Sequence, residues 1–447
     1  MPVTHILHIM LLSPLPVDLG ALEDKVVILL IGGGSALLLS YLFTFAVRWL
    51  CRKMGWLDQP SEDRVHKWPT PRLGGVAIFL AFVIASLVFY ISDPELQSKE
   101  IVIYWLFLVA ATLIVLVHAY DDVKGLKPLP KLIAQTAAVL IILGPFGTMF
   151  HGVLFYGFSN PFGPHIPDPN SLPWYLKSEL TLFIHSTDFI RDNQFVWAVI
   201  PAVVFTWFWM VAMMNMVNWI DGMDGLATGV VGITGLFITI ISWILGQHTI
   251  ALLSAIFTGA VLGFLPHNWN PAKIFMGDSG SQFLGLGLAV LSVIGGAKIA
   301  LLLMVMGIPI LDMALVILNR VRRGQSPMHR DKTHLQHRFL ATGLTVRQIC
   351  YVLYTLITMF GILALSMEHQ WKLLGLALVG VTMAALVLWM DYLQRRRGVP
   401  VSPDPEPEPT GDTLRTPTQK DDEHGEVPAT PPPPDSPGEH VHARLPL

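Results

Sequence analysis

An all-α, polytopic membrane protein with about eleven transmembrane helices, its N-terminus outside and its C-terminus cytoplasmic, is the fold class this sequence predicts. Three observations predict it. The 447 residues are 53% hydrophobic and only 14% charged, where an ordinary soluble domain carries about 25% charge; so much apolar surface does not hide behind so few charges. The apolar residues gather in runs near the ~20 residues that one helix needs to cross a bilayer core. Lys and Arg concentrate in alternate connecting segments, the asymmetry that marks the cytoplasmic side.

In chain order, residues 1–24 form an N-terminal lead-in. Its apolar stretch Ile6 to Leu15 has no basic residue before it, so it reads as an interfacial segment and not as a cleaved signal peptide. Residues 25–397 form the transmembrane domain, with apolar runs at about 25–50, 74–92, 100–119, 131–149, 196–214, 226–245, 249–266, 281–296, 299–318, 347–366 and 372–393. Residues 398–447 are a Pro-rich, acidic tail almost without large apolar side chains; it buries too little to offset its ordering entropy and is expected to be disordered. Numbering the loops alternately puts Arg52, Lys53, Arg64, Lys67, Arg72, Lys124, Lys127, Lys131, Lys273, Arg320, Arg322, Arg323, Arg330, Lys332, Arg338 and Arg395 to Arg397 on one side. The other side holds Lys25, Lys99, Lys177, Arg191 and Lys298, with Lys372 at an edge. The first side is therefore read as cytoplasmic and the long 150–195 segment as outside.

Composition also excludes some functions. A net charge of −3 gives no basic field for nucleic acid, so none is expected as a partner. Cys51 and Cys350 are the only cysteines and stand far apart, which argues against a disulfide framework or a zinc site.

Five polar clusters fall in the loops read as cytoplasmic: 55–75, 118–126, 215–229, 266–281 and 320–340. Solubilising loop residues would appear on both sides, so one-sided polarity at helix ends points to a site there. In NMVNWIDGMDGLATG, Asn215, Asn218, Asp221 and Asp224 recur every three residues, which stacks them on one helical face or terminal turn. Gly222 and Gly225 let the backbone break beside a ligand. An ordinary helix cap does not need two Asp and two Asn in register. In FMGDSGS, Asp278 alone would read as an N-cap; beside the other clusters it reads as a Mg2+ ligand, since Mg2+ takes one or two carboxylates plus substrate phosphates. Asp121 and Asp122 are adjacent, and neighbours on a helix point about 100° apart. One is therefore expected to face the cleft, while the other holds Lys124 or a helix end. His334 and His337 share a helical face, and with Arg330, Lys332 and Arg338 they make a cationic patch suited to a diphosphate. An acidic, metal-capable site next to phosphate-binding cations is the equipment of phosphoryl transfer.

These motifs resemble the polyprenyl-phosphate N-acetylhexosamine-1-phosphate transferase family over about residues 25–395. The resemblance is carried by N-x-x-N-x-x-D-G-x-D-G-L at Asn215 to Leu226 and F-M-G-D-x-G-S at Phe275 to Ser281. The stretch from Ser326 to His337 is similar to the family's N-acetylglucosamine branch. The resemblance implies an eleven-span enzyme of the inner (plasma) membrane with its active site on the cytoplasmic face. It would transfer N-acetylglucosamine 1-phosphate from UDP-GlcNAc to a polyprenyl (undecaprenyl) phosphate and release UMP, a first lipid-linked step of a cell-surface glycan. Its implied cofactor is Mg2+, with Mn2+ as an alternative ion. Its implied partners are a UDP-sugar, a polyprenyl phosphate lipid and the bilayer, and a homodimer is compatible with it.

Carried over by motif, Asp278 and Asp221 are metal ligands, and Asp121, Asp122, Asp221 and Asp224 are catalytic. Lys67, Asn218, Gly222, Asn268, Phe275, His334, His337 and Arg338 are substrate-binding, with Lys67, Asn268 and Phe275 lining the uridine pocket. Direct attack by the lipid phosphate and a covalent aspartyl-phosphate are both compatible with these residues. Two departures stand out. Where the branch usually reads H-x-H-H, this chain has His334, Leu335, Gln336 and His337, which leaves another UDP-N-acetylhexosamine as the alternative donor. Asp63 replaces the first of two basic residues expected before Val65 and His66. Readings from other classes are a transporter, which would carry charges at span centres as only Asp312 does, and an inactive membrane scaffold. The five motif carboxylates argue against the scaffold.

Overall fold

The computed structural model describes residues 19–59, 68–144, 152–155, 196–294, 298–324, 334–367 and 371–396. Lys67, His329, Arg330 and Lys332, the 156–195 segment, the lead-in to residue 18 and the tail beyond 396 lie outside the described residues. Within the described residues, each apolar run lies mainly on helix. Helix α1 is Leu19–Met54, followed by a two-residue hairpin in which β1 (Leu57–Asp58) pairs antiparallel with β2 (Thr70–Pro71). Then come α2 (Gly74–Ala85), extended by a π-helical turn over Ser86–Tyr90, α3 (Ser98–Lys124), α4 (Pro128–Leu143), α5 (Val196–Ile220), α6 (Leu226–Ile244), α7 (His248–Asn268) and α8 (Gly277–Val293). The series closes with α9 (Lys298–Val305), α10 (Gly307–Arg322), the short α11 (Leu335–Ala341), α12 (Val346–Ser366) and α13 (Lys372–Arg396). Among the described residues, seven helices are long and apolar enough to cross a membrane, or eight if α9 and α10, bent by 72°, make one span; α2 and α4 are shorter apolar helices. This is a multi-pass, all-α membrane architecture.

Local chemistry sets several boundaries. Gln97 and Glu100 close a capping box that starts α3, and Thr345 and Gln348 do the same for α12, satisfying N–H groups that a helix end leaves without partners. Pro128 opens α4, where its fixed φ suits the first turn. Gly125 ends α3 at φ 72°, a conformation cheap only for glycine.

The helices form a rim and a core. Leu30, Trp49, Leu116, Val381 and Leu388 on α1, α3 and α13 are exposed, as expected where lipid is the solvent. By contrast α8 is buried along nearly its whole length and packs on α2, α3 and α5. This central post carries Asp278 on its first turn.

The helix ends sort into two layers. In one, Lys25 pairs with Glu95 at 2.7 Å and Thr249 donates to Glu100 at 2.8 Å. In the other, the start of α2, the end of α3, the start of α4, the end of α5 and the start of α8 meet. That second layer gathers the polar clusters.

Candidate active site

The floor of the site is a backbone seam. Phe275 donates its N–H to Pro71, and Gly74 and Gly75 donate to the carbonyls of Phe275 and Met276, all at 2.8–3.0 Å. A Cβ on Gly75 would lie 2.0 Å from the Gly280 nitrogen, so only glycine lets α2 lie so close to α8. The pair Gly74–Gly75 in the first cluster thereby fixes the fourth cluster beside it.

On this floor sits a chain of alternating charges. Lys131 bridges Asp121 at 2.5 Å and Asp278 at 2.8 Å; Arg72 bridges Asp278 and Asp122, each at 3.3 Å. The order Asp121, Lys131, Asp278, Arg72, Asp122 joins residues up to 206 apart in sequence. The two adjacent aspartates have different tasks, as their 100° separation requires. Asp122 accepts the backbone N–H groups of Asp278 (2.8 Å) and Ser279 (3.0 Å) and the Ser279 hydroxyl (2.7 Å). It therefore caps α8 from another helix, stabilising its positive end. Asp121 instead accepts from the Leu126 N–H at 2.6 Å and holds Lys131. The expectation that one member of the pair holds a helix end fits this arrangement, with Lys131 in the place expected for Lys124.

Asp221 is half-buried at the end of α5. Burial pushes its carboxyl well above the usual carboxylate range; the negative charge of Asp278 adds to this, Arg72 opposes it, and Asp122 and Asp224 add further. Set against the five carboxylates Asp121, Asp122, Asp221, Asp224 and Asp278, Arg72 and Lys131 form ion pairs with Asp121, Asp122 and Asp278. Such excess negative charge favours a bound cation. Among the described residues no three His, Cys, Asp or Glu side chains form a ligand group of their own. Mg2+ does not need one, because it takes one or two carboxylates and completes its shell with water and substrate phosphates. Asp278 and Asp221 fit that requirement.

Other residues singled out in the sequence brace the site. Asp224 accepts from the Asn270 amide (2.9 Å) and the Ala272 N–H (3.0 Å). Asn268 is buried; its Oδ1 accepts from the Gly225 N–H (3.1 Å) and the Thr228 hydroxyl (2.8 Å), and its amide donates to the Ile274 carbonyl (3.2 Å). Asn268, given a place in the uridine pocket by the resemblance, thereby also ties the start of α6 to the loop before α8. Asn268→Ala is expected to cost about 3 kcal/mol of stability, because it strands three buried polar groups. Thermal unfolding in detergent would register this. Asn218 donates to the Ser281 hydroxyl at 2.9 Å. Phe275 is half-buried and meets the seam through its backbone.

The histidine segment joins the site through α5. His334 packs its ring 5.4 Å from Trp219 and lies 3.0 Å from Asp312. Asp312 also accepts the Leu335 N–H at 2.9 Å, so this lone mid-span carboxylate caps α11 much as Asp122 caps α8. Gln336 donates to the Trp219 carbonyl at 3.2 Å. A Cβ on Gly222 would lie 2.3 Å from the Gln336 amide. His337 lies in the first turn of α11. Arg338, expected in the diphosphate patch, is ion-paired with Asp391 on α13.

Sequence reasoning counted Arg72 and Lys131 only as topology markers. Their rank as site cations appears when the fold brings Asp278 to them. A helix-borne cation one to three turns from an acidic cluster is a signal that would have flagged Lys131.

A helical membrane protein whose cytoplasmic-type loops converge on acidic and basic side chains at helix ends belongs to the class of phosphate-handling membrane enzymes. Comparison with known proteins narrows that class. The model of glycosyl transferase family 4 matches residues 104–296. A Bacillus subtilis protein named "Probable undecaprenyl-phosphate N-acetylglucosaminyl 1-phosphate transferase" is 29% identical over 385 residues, 85% of this chain and 94% of the relative. The Mycobacterium tuberculosis decaprenyl-phosphate N-acetylglucosaminephosphotransferase is 31% identical over 347 residues, 72% of this chain and 78% of the relative. An Escherichia coli undecaprenyl-phosphate alpha-N-acetylglucosaminyl 1-phosphate transferase is 28% identical over 370 residues, 77% of this chain and 87% of the relative. The chain belongs to this family of polyprenyl-phosphate N-acetylglucosamine-1-phosphate transferases.

Proposed function

We propose that the protein transfers N-acetylglucosamine 1-phosphate from UDP-GlcNAc to a polyprenyl phosphate and releases UMP. The observation that carries this reading is the charge chain through Asp278, with Lys131 and Arg72 each shared by two carboxylates. A phosphate entering beside these cations can take over pairings the carboxylates now hold. Phosphoryl transfer asks a protein mainly for positioning and charge compensation.

In this reading an oxygen of the lipid phosphate attacks the phosphorus that bears the sugar, and the bond from that phosphorus to the UMP oxygen breaks. Arg72 offers a planar fork to phosphate oxygens and Lys131 a point charge. Asp121, next to Lys131, positions the acceptor phosphate or takes its proton. Asp122 keeps the start of α8 in place. Asp278 and Asp221 would hold Mg2+, which supplies Lewis-acid neutralisation of the diphosphate as charge moves to the leaving group.

The protein is placed in the inner (plasma) membrane with eleven spans, the N-terminus outside and the site facing the cytoplasm. The Lys and Arg asymmetry supports this orientation. In the eleven-span count α2, α4 and α8 act as short spans enclosed by longer ones.

The test is UMP release by purified full-length protein given UDP-GlcNAc, polyprenyl phosphate and Mg2+. Lipid-dependent release that EDTA removes and Mg2+ restores is expected. Release with a different UDP-N-acetylhexosamine but none with UDP-GlcNAc would keep the reaction and overturn the sugar. Silence with every UDP-sugar would overturn the reaction.

A further inference from the structure

Below the charge chain lies a second polar layer, inside the bundle. The Gln135 amide on α4 donates to Gln282 Oε1 on α8 at 2.8 Å. It also exchanges bonds with Asn215 on α5: Asn215 donates to Gln135 Oε1 at 3.1 Å, and Gln135 donates back at 3.3 Å. Gln135 and Gln282 are both buried within apolar helices. A buried amide in a membrane segment is costly unless it is paired, and three such groups on three helices satisfy one another here.

The register of this layer is informative. Gln135 lies four residues after Lys131, and Gln282 four after Asp278. Each pair therefore repeats one helical turn, about 6 Å, deeper on the same faces. Lys131 to Asp278 and Gln135 to Gln282 are two rungs of one ladder, both 2.8 Å long and both joining residues 147 apart. Because both rungs step the same way, α4 and α8 run in the same direction. Sliding either helix by one turn breaks both rungs. Since α4 packs chiefly on α3 and α5, its register against α8 rests largely on these side chains. The lower rung has no access to substrate phosphates, but it sets where Lys131 stands relative to Asp278.

We infer that Gln135 and Gln282 are positioning residues for the transfer: their amide rung holds Lys131 on Asp278 at the distance the reaction uses. This rests on the proposed transferase reading. The test uses full-length Gln135→Leu, Gln282→Leu and the double variant, with thermal unfolding in detergent and steady-state UMP release measured on each. Gln135→Leu takes the donor from Gln282 and both partner bonds from Asn215, and Gln282→Leu leaves Gln135 with Asn215 alone, so each single variant loses stability. The double variant removes both members of the rung with side chains of similar bulk and regains part of that stability, since replacing both members of a buried pair can be nearly neutral, while Asn215 keeps its bond to the Val211 carbonyl.

Positioning predicts that kcat of the double variant nonetheless stays down by about tenfold or more, the scale of effect that small misplacements of reacting groups have, with KM for the UDP-sugar little changed. Recovery of kcat together with stability would overturn the inference and leave the rung a packing device. Wild-type kcat in either single variant would overturn it as well. Absence of turnover in the unsubstituted protein would count against the transferase reading, a result separate from either of these.

Discussion

Asp278→Asn is expected to lower kcat by about 10³-fold, the equivalent of several kcal/mol of transition-state charge stabilisation at 1.36 kcal/mol per decade. Asp278 is the centre of the charge chain. One oxygen meets Arg72 and the other Lys131, and the side chain stands on the first turn of the most enclosed helix. An amide has the same shape but no charge, so the fold survives while two changes occur at once. A hard divalent cation loses an anionic ligand. Lys131 and Arg72 lose a shared partner and are left to Asp121 and Asp122 alone. The decisive measurement is UMP release across a Mg2+ titration, with unfolding in detergent alongside. A variant that folds and turns over near the normal rate would remove Asp278 from the metal site.

Asp122→Ala is expected to act first on stability, by about 3–5 kcal/mol, the usual cost of removing one partner of a buried charged pair. All its partners are donors: two backbone N–H groups at the start of α8, the Ser279 hydroxyl and Arg72. Losing the carboxylate uncaps α8 and frees the backbone that carries Asp278, so turnover falls with stability. Asp122→Asn keeps one acceptor oxygen for donors that now use two, and should fall between wild type and Asp122→Ala. The contrast lies next door. Asp121→Asn loses the Lys131 ion pair but leaves the α8 cap intact and Lys131 still on Asp278, so it should lose clearly less stability than Asp122→Ala and still lose activity. Unfolding curves and kcat for the three variants check the division of labour. Equal destabilisation by Asp121→Asn and Asp122→Ala would contradict it.

Residue chemistry explains how much of this was legible in advance. Hydrophobic runs and one-sided charge are local properties, so the positions of the apolar helices could be drawn from composition. Gly222, Asp221, Asp224 and Asp278 stood out because carboxylates and glycines at membrane helix ends are hard to explain as packing. Arg72 and Lys131 did not stand out, because a cation in such a loop already has a reason to be there. Gln135 and Gln282 lie in apolar runs, where an amide at that depth is itself a signal.

The membrane class, the apolar helices and the acidic motifs are legible in the chain alone, because each follows from side-chain transfer energies and spacing along one helix. What each polar group does is set by contacts between helices. Asp122 and Asp312 became caps for helices far along the chain, Asn268 a brace between a turn and a loop, and Arg338 a tie to α13 through Asp391. The reason is physical. A buried polar group takes its role from the partner that satisfies it. In a bundle with nearly all backbone bonds spent inside its own helices, that partner comes from another helix, at a sequence distance that no local pattern encodes.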